Sequence, residues 1–260
     1  MKNISIDNRS DERPHRGKGT LRIAVALVIG TLGAACGVGN SGANATTAPN
    51  TTADRAKTAT NPPETTPTTG MPKTDAEPPR VLVDAGEFAE NIYDLAKAKN
   101  WTKAAERSTF LEKAVADLKA RDLSTPQIAE TTNSLLTAVR AKNEIDAMSE
   151  ANHATFLFAE QSANFNSKVP VEVTKLDYYG REIERLAMTN DEAKLKSTAA
   201  EMRLTWNAVK PKVEAKGATK VAAKFESLVV QTEKAASVGD YAKVATPILD
   251  EVDNLEKVFE

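Results

Sequence analysis

The chain has 260 residues, with 34 Lys and Arg against 36 Asp and Glu and a formal net charge of −2 at pH 7. A single cysteine excludes an intramolecular disulfide, and two histidines leave little imidazole for catalysis or metal binding. The 24 basic and 29 acidic residues between 81 and 260 argue against general nucleic-acid binding.

Residues 1–22 carry six basic side chains (Lys2, Arg9, Arg13, Arg16, Lys18, Arg22) and three acidic ones (Asp7, Asp11, Glu12). The apolar run from Ile23 to about Ala35 is roughly 13 residues long, short of the ~20 that a spanning helix needs. A basic segment before a short apolar core is the arrangement of a cleaved export signal. The run closes on Leu32-Gly33-Ala34-Ala35-Cys36-Gly37. This ending resembles the lipobox of bacterial lipoproteins, with Gly33 where that family usually has leucine. The resemblance implies that residues 1–35 are removed and that Cys36 is lipidated, carrying a covalent diacylglycerol and no other cofactor. The membrane is then a partner through the lipid anchor, on the side facing outside the cytoplasm, extracellular or periplasmic. An ordinary cleavage site leaving a free Cys36, or an uncleaved anchor over 23–39, are the other readings.

From Gly37 to about Pro79 the chain is mostly Thr, Ala, Asn, Pro and Gly. Val38 and Met71 are its only large apolar residues. Such a segment buries too little to offset the entropy of ordering it. Its prolines (Pro49, Pro62, Pro63, Pro67, Pro72, Pro78, Pro79) favour extended backbone. Residues 36–80 are therefore expected to be a lipidated, disordered tether, with an average reach of about 35–40 Å.

Residues 81–260 carry apolar stripes at 3-4 spacing. They include Phe88/Ile92/Leu95, Ala104/Ser108/Leu111/Val115/Leu118, Ile128/Thr132/Leu135/Val139 and Leu195/Ala199/Met202/Trp206/Val209/Val213. Val221/Phe225/Leu228 and Ile248/Val252/Leu255/Phe259 follow. Each stripe is one buried helix face, and no segment alternates with period 2. The fold class is all-α: eight antiparallel helices over about 83–98, 101–121, 125–142, 144–163, 172–188, 191–215, 218–237 and 240–259. Asn100, Asn143, Asn190 and Asp240 stand where N-caps are needed, Ser124-Thr125-Pro126 marks another start, and Gly217 fits a turn. Pro211 and Pro247 are expected to kink their helices or end them early.

The caps mark a weak repeat. Ala98-Lys99-Asn100 resembles Ala141-Lys142-Asn143, and Thr189-Asn190-Asp191 and Gly239-Asp240-Tyr241 fall in equivalent places, at intervals of about 43, 47 and 50 residues. Phe88/Ile92/Leu95 matches Tyr179/Ile183/Leu186. Four αα-hairpins are thus expected in two four-helix units, 81–164 and 165–260, joined near 164–171. A single bundle or a short solenoid is the other arrangement.

No phosphate-binding, nucleophile-elbow or haem-attachment motif occurs. Glu150 and His153 form an E-x-x-H on one helix face, with Met148 as a soft neighbour, and Asp250, Asp253 and Glu256 recur at three-residue steps. These six residues are the candidate metal ligands. The plainer expectations are a half-buried, hydrogen-bonded His153 beside Phe156 and a solvated acidic face. Between Lys194 and Lys224, eight basic residues face only Glu201 and Glu214, a stretch suited to anionic lipids or wall polymers. Trp206 falls within a core stripe, while Trp101 and Tyr241 are expected to plug hairpin ends.

The hairpin pattern is similar to the imelysin-like extracytoplasmic helical proteins, which carry an H-x-x-E metal motif. Here the order is reversed, so no residue is carried over. The functional expectation is a lipid-anchored, non-enzymatic binding or scaffold protein whose partner is an envelope protein or polymer. The alternative is an extracytoplasmic metal- or haem-binding protein.

Overall fold

A computed structural model describes residues 74–260. The expected export signal, Cys36 and most of the expected tether lie outside the described residues. Among those described there are eight α-helices and no strand. They are α1 (Arg80–Lys97), α2 (Trp101–Ala120), α3 (Pro126–Arg140), α4 (Glu144–Ser162), α5 (Val171–Thr189), α6 (Glu192–Ala215), α7 (Thr219–Glu233) and α8 (Val238–Phe259). The all-α expectation holds.

The turns explain why the helices fold back so tightly. Lys99, Asp122, Lys142 and Asn190 adopt left-handed backbone (φ 53° to 58°), as does Gly217 (φ 78°). At the first of these, Lys99 N–H donates to Ala96 and Asn100 N–H to Leu95, at 2.9 and 2.8 Å. The same pair of bonds recurs around Asp122, Lys142, Asn190 and Gly217. This double closure satisfies carbonyls that a helix end otherwise leaves open. After Lys99, Lys142, Asn190 and Gly217 the next residue is the N-cap of a new helix, with Asn100 accepting from Lys103 N–H and Asn143 from Asp146 N–H; after Asp122 the new helix starts only at Pro126. One residue therefore closes one helix and caps the next, and such a connection leaves only antiparallel neighbours. Thr125, one residue beyond the Ser124 start read from the sequence, caps α3 ahead of Pro126.

Two further caps differ from the sequence reading. Asn190 is the left-handed residue ending α5, and Asp191 caps α6 by accepting from Lys194 N–H. Ser237, not Asp240, caps α8. Its Oγ accepts from Asp240 N–H at 3.2 Å and donates to the Asp240 carboxylate at 2.8 Å. Gly239-Asp240-Tyr241 therefore lies inside the first turn of α8 and outside the turn repeat. Pro211 and Pro247 end nothing: α6 and α8 run through them.

The stripes fill two cores. In the first, α1 packs on α2 and α4, and α3 closes the ring between them. Its centre is Leu82, Ile92, Leu111, Leu118, Leu135, Met148 and Phe158. In the second, α5 packs on α6 and α8, with α7 completing the ring. Trp206, Phe225, Met202, Ile183 and Ile248 lie at its centre. Trp101 is half-buried against the first core, and Tyr241 is buried in the second from inside α8.

The halves meet through α4 and α5. Phe156 of α4 belongs to the second core, stacking at 4.8 Å on Tyr178, whereas Phe165, beyond α4, belongs to the first. Order also begins before residue 81. Thr74 N–H donates to Asn164 and Asn166 N–H to Ala76, both at 2.9 Å, so the chain entering α1 is tied to the α4–α5 connection.

Gly180 sets how closely α5 approaches α8. A Cβ there would sit 2.8 Å from Leu249 Cδ2 and 3.1 Å from Ile248 Cγ2. We expect Gly180→Val to overpack this contact and lower stability by about 1–3 kcal/mol in urea unfolding. An unchanged midpoint would show that the close approach carries no constraint.

Candidate functional site

The densest polar chemistry lies on α1 and α5, with α4 alongside. Arg181 of α5 is its hub. The guanidinium donates to Asp177, one turn earlier on α5, at 2.7 Å and to Asp94 of α1 at 2.8 Å. It also stacks over the Tyr93 ring, 5.0 Å from its centroid. The Tyr93 hydroxyl donates to the Arg181 carbonyl and the Glu184 carboxylate, both at 3.0 Å. Lys97 pairs with Glu184 one turn further along. On the α4 side, Asn152 is fully buried and donates to the Tyr178 carbonyl and to Glu182, both at 3.1 Å. Glu182 also pairs with Arg185.

Burial opposes the charge on Arg181, but Asp177, Asp94 and Glu90 outweigh it, and its pKa lies well above the usual value. Glu90 behaves in the opposite sense to an ordinary surface carboxylate. Burial, followed by the facing Asp177, pushes it well above its normal range, against the pull of Arg181. One guanidinium thus serves more carboxylates than it can neutralise. Such a site ties α1 to α5 through charged hydrogen bonds.

The residues singled out from the sequence do not converge. Met148 is fully buried in the first core. Glu150 is half-buried and raised by burial and then by Asp146 and Glu130, with Arg185 opposing. His153 is half-buried, with Nδ1 3.5 Å from Thr131 Oγ1, and burial lowers its pKa against the pull of Glu182. Asp250 and Asp253 are exposed, and Glu256 is half-buried within reach of Glu90. Among the described residues, no group of three or more His, Cys, Asp or Glu is placed to hold a metal ion. Cys36 lies outside the described residues.

The basic stretch is also not an open face. Lys212 pairs with Glu172 of α5, Lys210 and Arg203 with Glu226 of α7, and Lys224 with Glu251 of α8. Lys216 lies over the Phe259 ring. Its charge is largely used to join helices. Within it, Glu226 accepts from the buried Trp206 indole at 2.8 Å. That bond first, with Arg203 and Lys210 adding to it, pulls Glu226 down to about 2.

Sequence reasoning missed Arg181, Asp177, Tyr93 and Glu251. A signal existed for Glu251, which falls on the Ile248/Val252/Leu255 face and is 1 % exposed. For Asp177 and Arg181 there was none, because their i,i+4 spacing reads as an ordinary surface pair.

Replacing Arg181 by Met strands the buried carboxylates, and we expect a loss of about 3–5 kcal/mol in urea unfolding at pH 7. A loss below about 1 kcal/mol would show the hub to be dispensable. For Glu226, the depressed value means that its stabilisation is complete above about 4.5 and fades as pH falls toward about 2. Acid unfolding followed by tryptophan fluorescence should show this limb in the parent and lose it in Glu226→Gln. Identical acid limbs would exclude that role. Comparison with known protein families, with curated proteins and with solved structures finds no match.

Proposed function

We propose that this chain is a lipid-anchored extracytoplasmic protein whose helical head binds or scaffolds an envelope protein or polymer, without a catalytic role of its own. One observation carries the reading: the only cysteine, Cys36, directly follows small residues at the end of a short apolar run behind a basic segment. Two acyl chains on such a residue give stable attachment where one does not. The Thr/Pro-rich segment after Cys36 supplies the spacing between bilayer and head. Among the described residues, no helix is long and apolar enough to cross a membrane.

The surface fits binding better than turnover. Its cations are paired across helices, and its most unusual titratable groups hold α1 against α5 instead of lining a cleft. The test is metabolic labelling with a palmitate analogue, combined with membrane fractionation. The parent should incorporate label and sediment with membranes, whereas Cys36→Ala should do neither. Equal labelling of the two proteins would reject the anchor.

A further inference from the structure

The loosest contact between consecutive helices is that of α2 with α3. Residues 121–125 join them, a longer turn than 98–100 or 141–143. On the α2 side, Ala105, Ser108 and Thr109 are too small to fill the remaining space, and a cavity of about 200 Å³ lies between the two helices. Its α3 wall is apolar. Leu136 and Val139 are 5 % and 3 % exposed, and Leu136 belongs to neither core.

Two charges of opposite sign also line this cavity, Glu112 from α2 and Arg140 from α3. Helical side chains lean toward the N-terminus of their own helix. Because α2 and α3 are antiparallel, Glu112 and Arg140 lean over the cavity from its opposite ends. No ion pair joins them, and among the described residues neither pairs with another charged group. Arg140 differs in this from Arg181, Arg185 and Arg203, each of which holds a carboxylate. The polar groups between the two charges are one-sided. Ser108 Oγ donates to the Ala104 carbonyl at 2.8 Å and Thr109 Oγ1 to the Ala105 carbonyl at 3.3 Å. Each hydroxyl therefore uses its hydrogen inside α2 and offers the cavity only lone pairs. The α2 wall accepts hydrogen bonds, and Arg140 on the α3 wall donates them.

We propose that the α2–α3 cavity binds a small zwitterion of the α-amino-acid class, with its ammonium group against Glu112 and the α2 hydroxyls, its carboxylate against Arg140 and a short apolar side chain on Leu136 and Val139. A guanidinium matches a carboxylate with two parallel hydrogen bonds, and an ammonium brings three donors to the acceptors of α2. A simple anion would leave Glu112 without a counter-charge, and a simple cation would leave Arg140 without one. The volume points the same way, since drug-sized ligands occupy about 300–1,000 Å³. The site lies wholly within the head and goes beyond the anchoring reading, on which it does not rest.

The test is calorimetric titration of the full chain at pH 7 with L-valine and L-alanine, and with two truncated analogues of valine. Valinamide lacks the carboxylate, and isovalerate lacks the ammonium group. At least one amino acid should bind saturably at millimolar concentration, with valinamide and isovalerate at least about tenfold weaker than valine. Arg140→Gln should bind valine no better than valinamide, and Glu112→Gln no better than isovalerate. Both residues are exposed, so the fold should survive, as circular dichroism will check. Lys234→Gln, an exposed change in the other four-helix unit, should bind as the parent does. The proposal is overturned if neither amino acid binds saturably, if valine and its two analogues bind equally, or if valine binding is unchanged in both Arg140→Gln and Glu112→Gln.

Discussion

The constraint on which this architecture depends is the left-handed residue at the end of a helix. Lys99, Asp122, Lys142 and Asn190 are not glycines, so each accepts backbone strain to reach positive φ. The two closing hydrogen bonds at each turn offset that strain, because they satisfy carbonyls that would otherwise be left open. The consequence is long-range. Once a helix ends this way and the next begins within about one or two residues, the following helix returns antiparallel beside it. The apolar stripes then need only face inward, and the cyclic order α1-α2-α3-α4 and α5-α6-α7-α8 follows.

The halves also resemble each other in their details. α1 and α5 each start directly after a proline with nearly the same backbone (φ −54° and −56°, ψ 138° for both). Their buried faces match in order, with Leu82, Ala85 and Ile92 in one and Val173, Leu176 and Ile183 in the other. Asn100 and Asp191 cap the next helices in the same places. The correspondence weakens at the fourth helix, where Ser237 starts α8 through a different cap.

Helices and core were legible in the sequence because both follow from periodicity. Every member of the Leu195-to-Val213 stripe is buried. The caps were legible where a single cap-former stands at the turn, as at Asn100 and Asn143, whereas Ser124 and Thr125 stand side by side and the second of them caps α3. Asn190 and Asp191 were harder, because adjacent cap-formers compete and the left-handed position favours Asn. Pro211 and Pro247 do not end their helices, because a helix held by a core on one face can lose one hydrogen bond and continue. The charged seam was hidden for another reason. Asp177 and Arg181, or Glu90 and Asp94, read in one dimension as ordinary i,i+4 surface charges. Only the second helix turns them into a buried network.

That second helix also gives the seam its charge logic. If two similar four-helix units met through their first helices in parallel, like positions would come close, and like charges with them. Here Glu90 and Asp94 of α1 stand where α5 carries Arg181 and Arg185, so opposite charges meet across the contact. The observed register shifts the match by about one turn, since Asp94, rather than Glu90, takes the bond to Arg181. That shift leaves Glu90 without the bond to Arg181, and the charge of Asp177 adds to burial in raising its pKa. The crowding of carboxylates around Arg181 thus follows from the one-turn offset between the two helices.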